Sequence, residues 1–336
     1  MLARVAENIY WLARYLERAE NTARLISVNA NLLLDLHRGY ALGWLPLVDI
    51  TGSRHVFDAQ KRRSDEREVV QFLLADAGNP GSISASLNCA RENARTLRDI
   101  LPTEAWEILN EFFLEFTAQL PSGLNRRTRY EFLKRIVLVS QTLAGVLEGT
   151  MSRTDAYTFM LLGRNLERAD MTSRIVDVRS AQILPAATAD LGPFQTIQWI
   201  SVLRSLSGQH MYRQTRRARV SRVESLDFAL RDQEFPRSCL FCLRQIELCL
   251  RTLTRSSGVL DTLAGAHRFL SQASFTDLAQ QGLHQLLDQL QVYLIGVHDS
   301  IAAAYFPALP GGTPGPLPQL QRQGEGCTLP LFTQAP

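Results

Sequence analysis

Two stretches of this chain carry arginine and glutamate at the same spacing. Residues 14–26 read RYLERAENTARLI and residues 164–176 read RNLERADMTSRIV. Arg14, Leu16, Glu17, Arg18, Ala19, Thr22 and Arg24 return as Arg164, Leu166, Glu167, Arg168, Ala169, Thr172 and Arg174, and Glu20 becomes Asp170 with its charge kept. Guanidinium groups clamp carboxylates and phosphates through paired N–H donors. A glutamate held beside them can act as general acid or base. Glu17 and Glu167 are therefore the candidate catalytic groups. Arg14, Arg18, Asn21, Arg24, Arg164, Arg168, Asp170 and Arg174 complete a candidate binding motif.

With about 100° per residue on an α-helix, Val5, Ile9, Leu12, Leu16, Ala19 and Ala23 form one apolar stripe. Glu7, Tyr10, Trp11, Arg14, Glu17, Arg18 and Asn21 lie opposite. Arg14 with Glu17, Glu17 with Glu20, and Glu20 with Arg24 are neighbours three or four residues apart. The plain reading of this first stretch is a solvated face laced with weak ion pairs. The second stretch reads differently. The same positions there are Tyr157, Met160, Leu161, Arg164, Glu167, Arg168 and Met171, with Leu162, Leu166 and Ala169 on the other side. A helix that is apolar nearly all round is a buried one, and buried charges must be paired. Two readings stand side by side: an ion-pair lock between helices, or a pocket presenting arginine to an anion. On either, Arg168→Ala is expected to strand Glu167 at a cost of about 3–5 kcal/mol. Arg18→Ala, in the wetter surroundings of Glu7, Glu20 and Asn21, is expected to cost on the order of 1 kcal/mol.

A second paired feature is basic: Lys61-Arg62-Arg63 early in the chain, and Arg213, Arg216, Arg217, Arg219 and Arg222 later. Such a run either docks an acidic surface or a phosphate or is simply solvated. Of the five cysteines, Cys239 and Cys242 have the spacing of a redox pair or half a zinc site. They lie in a helical pattern with Cys249 on the same face and no second ligand pair nearby, so Cys89, Cys239, Cys242, Cys249 and Cys327 read as small hydrophobes, not as ligands. His37, His55, His210, His267, His284 and His298 are scattered without ligand spacing. No phosphate loop, zinc-protease motif, dinucleotide fingerprint or nucleophile elbow occurs. The sequence thus gives no support to autonomous catalysis, and calls for no cofactor and no metal.

The elements that must carry these groups are helices. Period-3.6 patterns dominate, and clear alternation is absent, so the fold class is all-α. The patterns predict helices over about 2–37, 64–77, 81–100, 103–119 and 127–150, then 151–183, 194–208, 220–232, 238–256, 259–271 and 275–305. The breaks fall at Asn79-Pro80-Gly81, Pro102, Pro121-Ser122-Gly123, Pro185 and Phe235-Pro236. Ser274-x-x-Asp277 resembles a capping box for the last helix. The two lists run parallel, and residues 72–97 also align with 228–253, while Trp44 has a counterpart in Trp199. The chain therefore reads as a tandem duplication of a helical-bundle unit with pseudo-twofold symmetry, 1–149 and 150–306, its two long first helices innermost. Residues 307–336 hold seven of the fourteen prolines and read as a flexible tail.

Composition agrees with a soluble, globular chain. Of its 336 residues 46% are hydrophobic and 21% charged, and the net charge of +3 is too small to argue for nucleic acid. Lys61 and Lys134 are the only lysines. No apolar run is long enough to span a bilayer, and neither a transit peptide nor a signal peptide is evident, so the expected compartment is the cytoplasm. A homodimer is one arrangement the sequence permits.

The segments AENIYWLARYLERAENTARL, NPGSISASLNCARENARTLR, LLGRNLERADMTSRI and FPRSCLFCL, in that order, closely resemble the bacterial Alpha-E family, over residues 1 to about 305. That resemblance implies an all-α domain, named for its Glu-Arg motif and typically duplicated. The motif falls on Glu17-Arg18 and Glu167-Arg168. It also implies membership of a cytoplasmic peptide synthesis or modification system, with a circularly permuted ATP-grasp peptide ligase and a transglutaminase-like protease as partners. The expectation that follows is a non-catalytic accessory or scaffold protein for such a ligase. The alternative is an enzyme acting on a peptide or amino acid, with a motif glutamate as acid/base and the arginines as carboxylate clamp.

Overall fold

The computed structural model describes residues 2–35, 43–181, 192–217, 219–275 and 280–306; among these every regular element is a helix. The N-terminal half runs α1 (Ala3–Asp35), α2 (Pro46–Ile50), α3 (Arg54–Ala59), α4 (Glu66–Leu74), α5 (Ile83–Thr96), α6 (Thr103–Leu124) and α7 (Arg129–Thr150). The C-terminal half runs α8 (Asp155–Ala181), α9 (Gly192–Ser205), α10 (Gln209–Arg216), α11 (Arg222–Arg231), α12 (Cys239–Thr252), α13 (Ser257–Gln272) and α14 (Gln280–Tyr305). Cys327, His37, Asp277 and the proline-rich segment 307–336 lie outside the described residues, as does Pro185.

The long helices α1 and α8 pack on each other more extensively than any other pair, and form the centre of the molecule. Helices α5 and α7 flank α1; α12 and α14 flank α8. The exchange goes further, since α2 packs on α8 and α9 packs on α1. Trp44 and Trp199 are both buried. Short polar side chains start the flanking helices in matching places. Asp65 accepts from the Glu68 N–H at 3.0 Å and Ser221 from Glu224 at 3.4 Å; Ser82 accepts from Ala85 at 3.2 Å and Ser238 from Phe241 at 3.1 Å. Each satisfies an N–H that the helix itself leaves unpaired.

The crossing of α1 and α8 depends on one small residue. A Cβ on Gly163 would stand 2.2 Å from the Tyr10 carbonyl oxygen, so only hydrogen at that position lets the two backbones meet. The aligned position in α1 is Ala13, also buried.

Three expectations about the elements are corrected. The first concerns α1, whose polar side is not a solvated face: residues 17–26 are all buried, because neighbours cover the helix on every side. The second concerns Pro121, which does not end its helix; α6 continues to Leu124. Proline there forfeits only the bond to the carbonyl of Thr117, an exposed residue that water can serve. The third is that α2, α3 and α10 are one- or two-turn helices, too short to show a period, in stretches the sequence pattern leaves blank. A four-residue break, 151–154, also separates α7 from α8.

Candidate functional site

The two Glu-Arg motifs meet where α1 and α8 cross, and their partners are exchanged. Glu167 on α8 accepts from Arg14 Nε at 2.8 Å and from Arg18 through Nε at 2.7 Å and Nη2 at 3.1 Å, both on α1. Glu17 on α1 accepts from Arg168 Nε on α8 at 2.9 Å. The i,i+3 pair of Arg14 with Glu17 is not formed; each arginine reaches across to the other helix. Only the i,i+4 pairs stay within a helix, Arg24 with Glu20 and Arg174 with Asp170, the latter at 3.0 Å.

This overturns the expectation that Arg168 neutralises its neighbour Glu167. It also reverses the expected wetness of the two sites. The Arg18 side chain is 9% exposed and Arg168 is 15% exposed. The polar company expected to hydrate Arg18 is turned elsewhere, since Glu20 and Asn21 are themselves buried and bonded.

Glu17 has a second partner that no motif announced. Arg237, from the loop ahead of α12, donates to Glu17, to Asn21 at 2.8 Å and to Glu20 at 2.9 Å. The loop is pinned to α8 by the Thr172 hydroxyl, which donates to the Arg237 carbonyl at 2.8 Å. In the alignment of residues 72–97 with 228–253, the position of Arg237 is held by Gly81. A charged side chain in place of glycine just ahead of a capping serine is the signal the sequence held for it.

The Glu167 site has its own unannounced members. Arg14 Nη1 donates to the Tyr10 hydroxyl at 3.3 Å and lies 3.3 Å from Nδ1 of His298 on α14, and Tyr10 and His298 are joined at 2.8 Å. Guanidinium and phenol both supply protons, so Nδ1 is the acceptor and the imidazole proton is assigned to Nε2. Arg14 also lies over the Trp11 ring, 4.8 Å from its centroid.

Arg164, the counterpart of Arg14, makes no such bond. Its Nε is buried without a hydrogen-bond partner, and no carboxylate among the described residues stands within ion-pair distance. Burial, and then the like charge of Arg168, push its guanidinium pKa down. Arg179, further along α8, is also buried and is bonded through Nη2 to Asn29 at 2.8 Å; burial pushes its pKa down to about 10.

These environments decide what the glutamates can do. Burial alone would raise the Glu17 carboxyl, but Arg168 and Arg237 outweigh it and hold it at about 2. Burial is likewise outweighed at Glu167 by Arg18 and Arg14, which hold it at about 2. A carboxyl held that low has no proton to give near neutrality and is a weak base.

The basic run is partly structural. Arg216 bonds Asp227 at 2.9 Å and Asp232 at 3.3 Å, and Arg62 pairs with Glu68 and with Asp76, which aligns with Asp232. Arg62 ties a loop to α4, and Arg216 ties the end of α10 to α11 and to the residue that follows it. Arg213, Arg217 and Arg219 are exposed, and Arg222 is half-buried. Cys89, Cys239, Cys242 and Cys249 are buried and none is in a disulfide. Cys239 donates to the Ala169 carbonyl, and burial pushes the Cys242 thiol up to about 12, so neither is a ready thiolate. Asp177, His284 and Asp288 form the one group among the described residues with metal-ligating atoms within 4.8 Å of one another. The imidazole turns Nδ1 to Asp177 at 2.7 Å and Nε2 to Asp288 at 3.4 Å, the geometry of a bridging ion pair instead of a shared chelate. Among the described residues no helix is long and apolar enough to cross a membrane.

Residues 1–306 match the Alpha-E family, described as a predicted alpha-helical domain with a conserved ER motif, and the chain belongs to that family. It is 25% identical over 344 aligned positions to uncharacterized proteins of Mycobacterium bovis (strain ATCC BAA-935 / AF2122/97) and Mycobacterium tuberculosis (strain CDC 1551 / Oshkosh). Each alignment covers 92% of this chain and 37% of the relative. A protein of Mycobacterium tuberculosis (strain ATCC 25618 / H37Rv) is 24% identical over the same extent. The chain thus spans well under half the length of these relatives. No solved structure matches.

Proposed function

We propose that this member of the Alpha-E family is a non-catalytic accessory protein of a cytoplasmic peptide synthesis or modification system. Its partner would be a circularly permuted ATP-grasp peptide ligase, with a transglutaminase-like protease as a second associate. The reading includes the duplication into units 1–149 and 150–306. The observation that carries it is that both motif glutamates are spent on arginines of the opposite helix. The residues best suited to acid/base chemistry serve as a fastener, which weighs against the alternative of a motif glutamate as proton donor. What such a body offers is a rigid surface with guanidinium to spare. The mycobacterial relatives support the same view, since there the matched region is a minority of a longer chain, as suits a module that works beside others.

The test is co-expression with an ATP-grasp ligase of the same organism. Co-elution, together with a ligase rate that depends on this protein, is the expected result. No association and a ligase indifferent to the protein would sink the reading. Peptide turnover by the purified chain alone would restore the enzyme reading.

A further inference from the structure

The crossing of α1 and α8 contains more positive charge than it uses. Arg14, Arg18, Arg24, Arg164, Arg168, Arg174 and Arg237 meet there with Glu17, Glu20, Glu167 and Asp170, seven guanidiniums against four carboxylates. Six of the seven are bonded to a carboxylate; Arg164 is the one left over.

Why it is left over follows from three sequence differences. Arg14 is held by Glu167, Tyr10 and His298. At the corresponding places Arg164 has Glu17, Met160 and Ser140. Arg237, standing where the other half has Gly81, already occupies Glu17. Met160 and Ser140 are smaller than Tyr10 and His298 and leave room. The result is a partly open cavity whose wall includes Arg164, Met160, Ser140, Leu12 and Leu147, with Glu17 and Glu20 at one side. It offers about 30 Å³ to water-sized groups. One water needs on the order of 10–15 Å³ on this scale, so the cavity takes roughly two such atoms.

We propose that this cavity is a carboxylate-binding subsite, in which Arg164 receives the carboxylate end of a peptide or amino-acid ligand. Two oxygens fill the volume, and the guanidinium of Arg164, whose Nε has no partner, supplies what a carboxylate lacks on leaving water. Leu12, Leu147 and Met160 suit the carbon next to it. A phosphate ester brings more oxygen atoms and more charge than the space and the two nearby glutamates accept. An ammonium group would add a cation where cations are already in surplus. The subsite rests on the scaffold reading for the source of its ligand, a peptide end, though not for its existence.

The probe is N-acetylalanine, with N-acetylalanine amide as the control, titrated at constant ionic strength into the full chain. Thermal unfolding and the Arg164 Nε resonance, in ¹⁵N-arginine-labelled protein, are followed together. The acid should raise the melting temperature with concentration and move the Arg164 resonance, while the amide does neither. Arg164→Met should weaken the effect about tenfold or more, the size expected for one charge-assisted hydrogen bond. The variant should itself fold, because the guanidinium it removes has no partner. Equal responses to acid and amide, an unmoved Arg164 resonance, or a response to inorganic phosphate but not to the acid, would each overturn the assignment. Ligase co-elution is measured on the unsubstituted chain. Retained association without any response to the acid would remove the subsite and leave the scaffold; the converse would remove the scaffold and leave the subsite.

Discussion

Glu167 and Glu17 occupy matching places on α8 and α1, and they are secured by different means. Glu167 is gripped by Arg14 and Arg18, both from one helix and both buried. Glu17 is gripped by Arg168 from the opposite helix and by Arg237 from a loop. The first grip is closed by Tyr10 and His298, the second is left with an idle arginine and a cavity. Two matching motifs differ here because one has a donor from elsewhere: Arg237 stands on Glu17, and Arg164 is left without a carboxylate.

The strongest test of this contrast is to delete each carboxylate. Glu167→Ala strands Arg14 and Arg18 in a dry site and should cost about 3–5 kcal/mol in chemical denaturation. Glu17→Ala should cost less, because Arg237 keeps Glu20 and Asn21, and Arg168 is the more exposed arginine. Equal losses would erase the distinction drawn between the sites. Both carboxyls sit below their ordinary value of 4.5, so their contribution is present above about pH 4.5 and is lost as pH falls towards 2. The acid limb of the stability profile should flatten in Glu167→Gln.

Next in size is the helix crossing. Gly163→Ala forces a methyl against the Tyr10 carbonyl and should cost about 1–3 kcal/mol as overpacking. Ala13→Gly, at the matching place, should cost only about 0.5–1 kcal/mol through backbone freedom. A reversed order would show that α1 and α8 do not cross as closely as described.

Arg237→Gly recreates the arrangement of the other half and should let Arg164 turn to Glu17. Its cost should then depend on Arg164. A double-mutant cycle with Arg164→Met should give a coupling of about 0.5–3 kcal/mol, and additivity would mean that Arg164 does not take over.

The smallest effect belongs to His284, which is largely exposed. The hydrogen bond to Asp177 raises the imidazole pKa, so any stabilisation is complete below about pH 6.5 and fades as pH rises through the folded value. Burial raises the Asp177 carboxyl, which opposes the pair. His284→Gln should change stability by less than about 0.5 kcal/mol at pH 6, and by less still as pH rises.

Most of the long helices were legible in the sequence, because their apolar periods are long and their ends carry proline or a capping serine, as at Ser82 and Ser238. The short helices α2, α3 and α10 were not, since one or two turns cannot display a period. The charged residues of the site were visible through repetition, and the apolar neighbours of the second motif announced the burial of Glu167, though not the partial exposure of Arg168. Pairing was not visible. Helical spacing offers Arg14 to Glu17 as readily as to Glu167, and only the crossing at Gly163, a contact between distant segments, decides for Glu167. Arg237 and His298 escaped notice for the same reason. Each lies more than 200 residues from the groups it serves, and neither repeats.

Those separations have a consequence for how the chain is born. Glu17 waits for Arg237, 220 residues later, and Tyr10 waits for His298, 288 residues later. At about 5–20 residues per second, the first of these waits lasts roughly 10–45 s on the ribosome. During that interval α1 emerges with carboxylates and guanidiniums that only later sequence can neutralise, so its charge cluster stays uncompensated until the C-terminal half arrives.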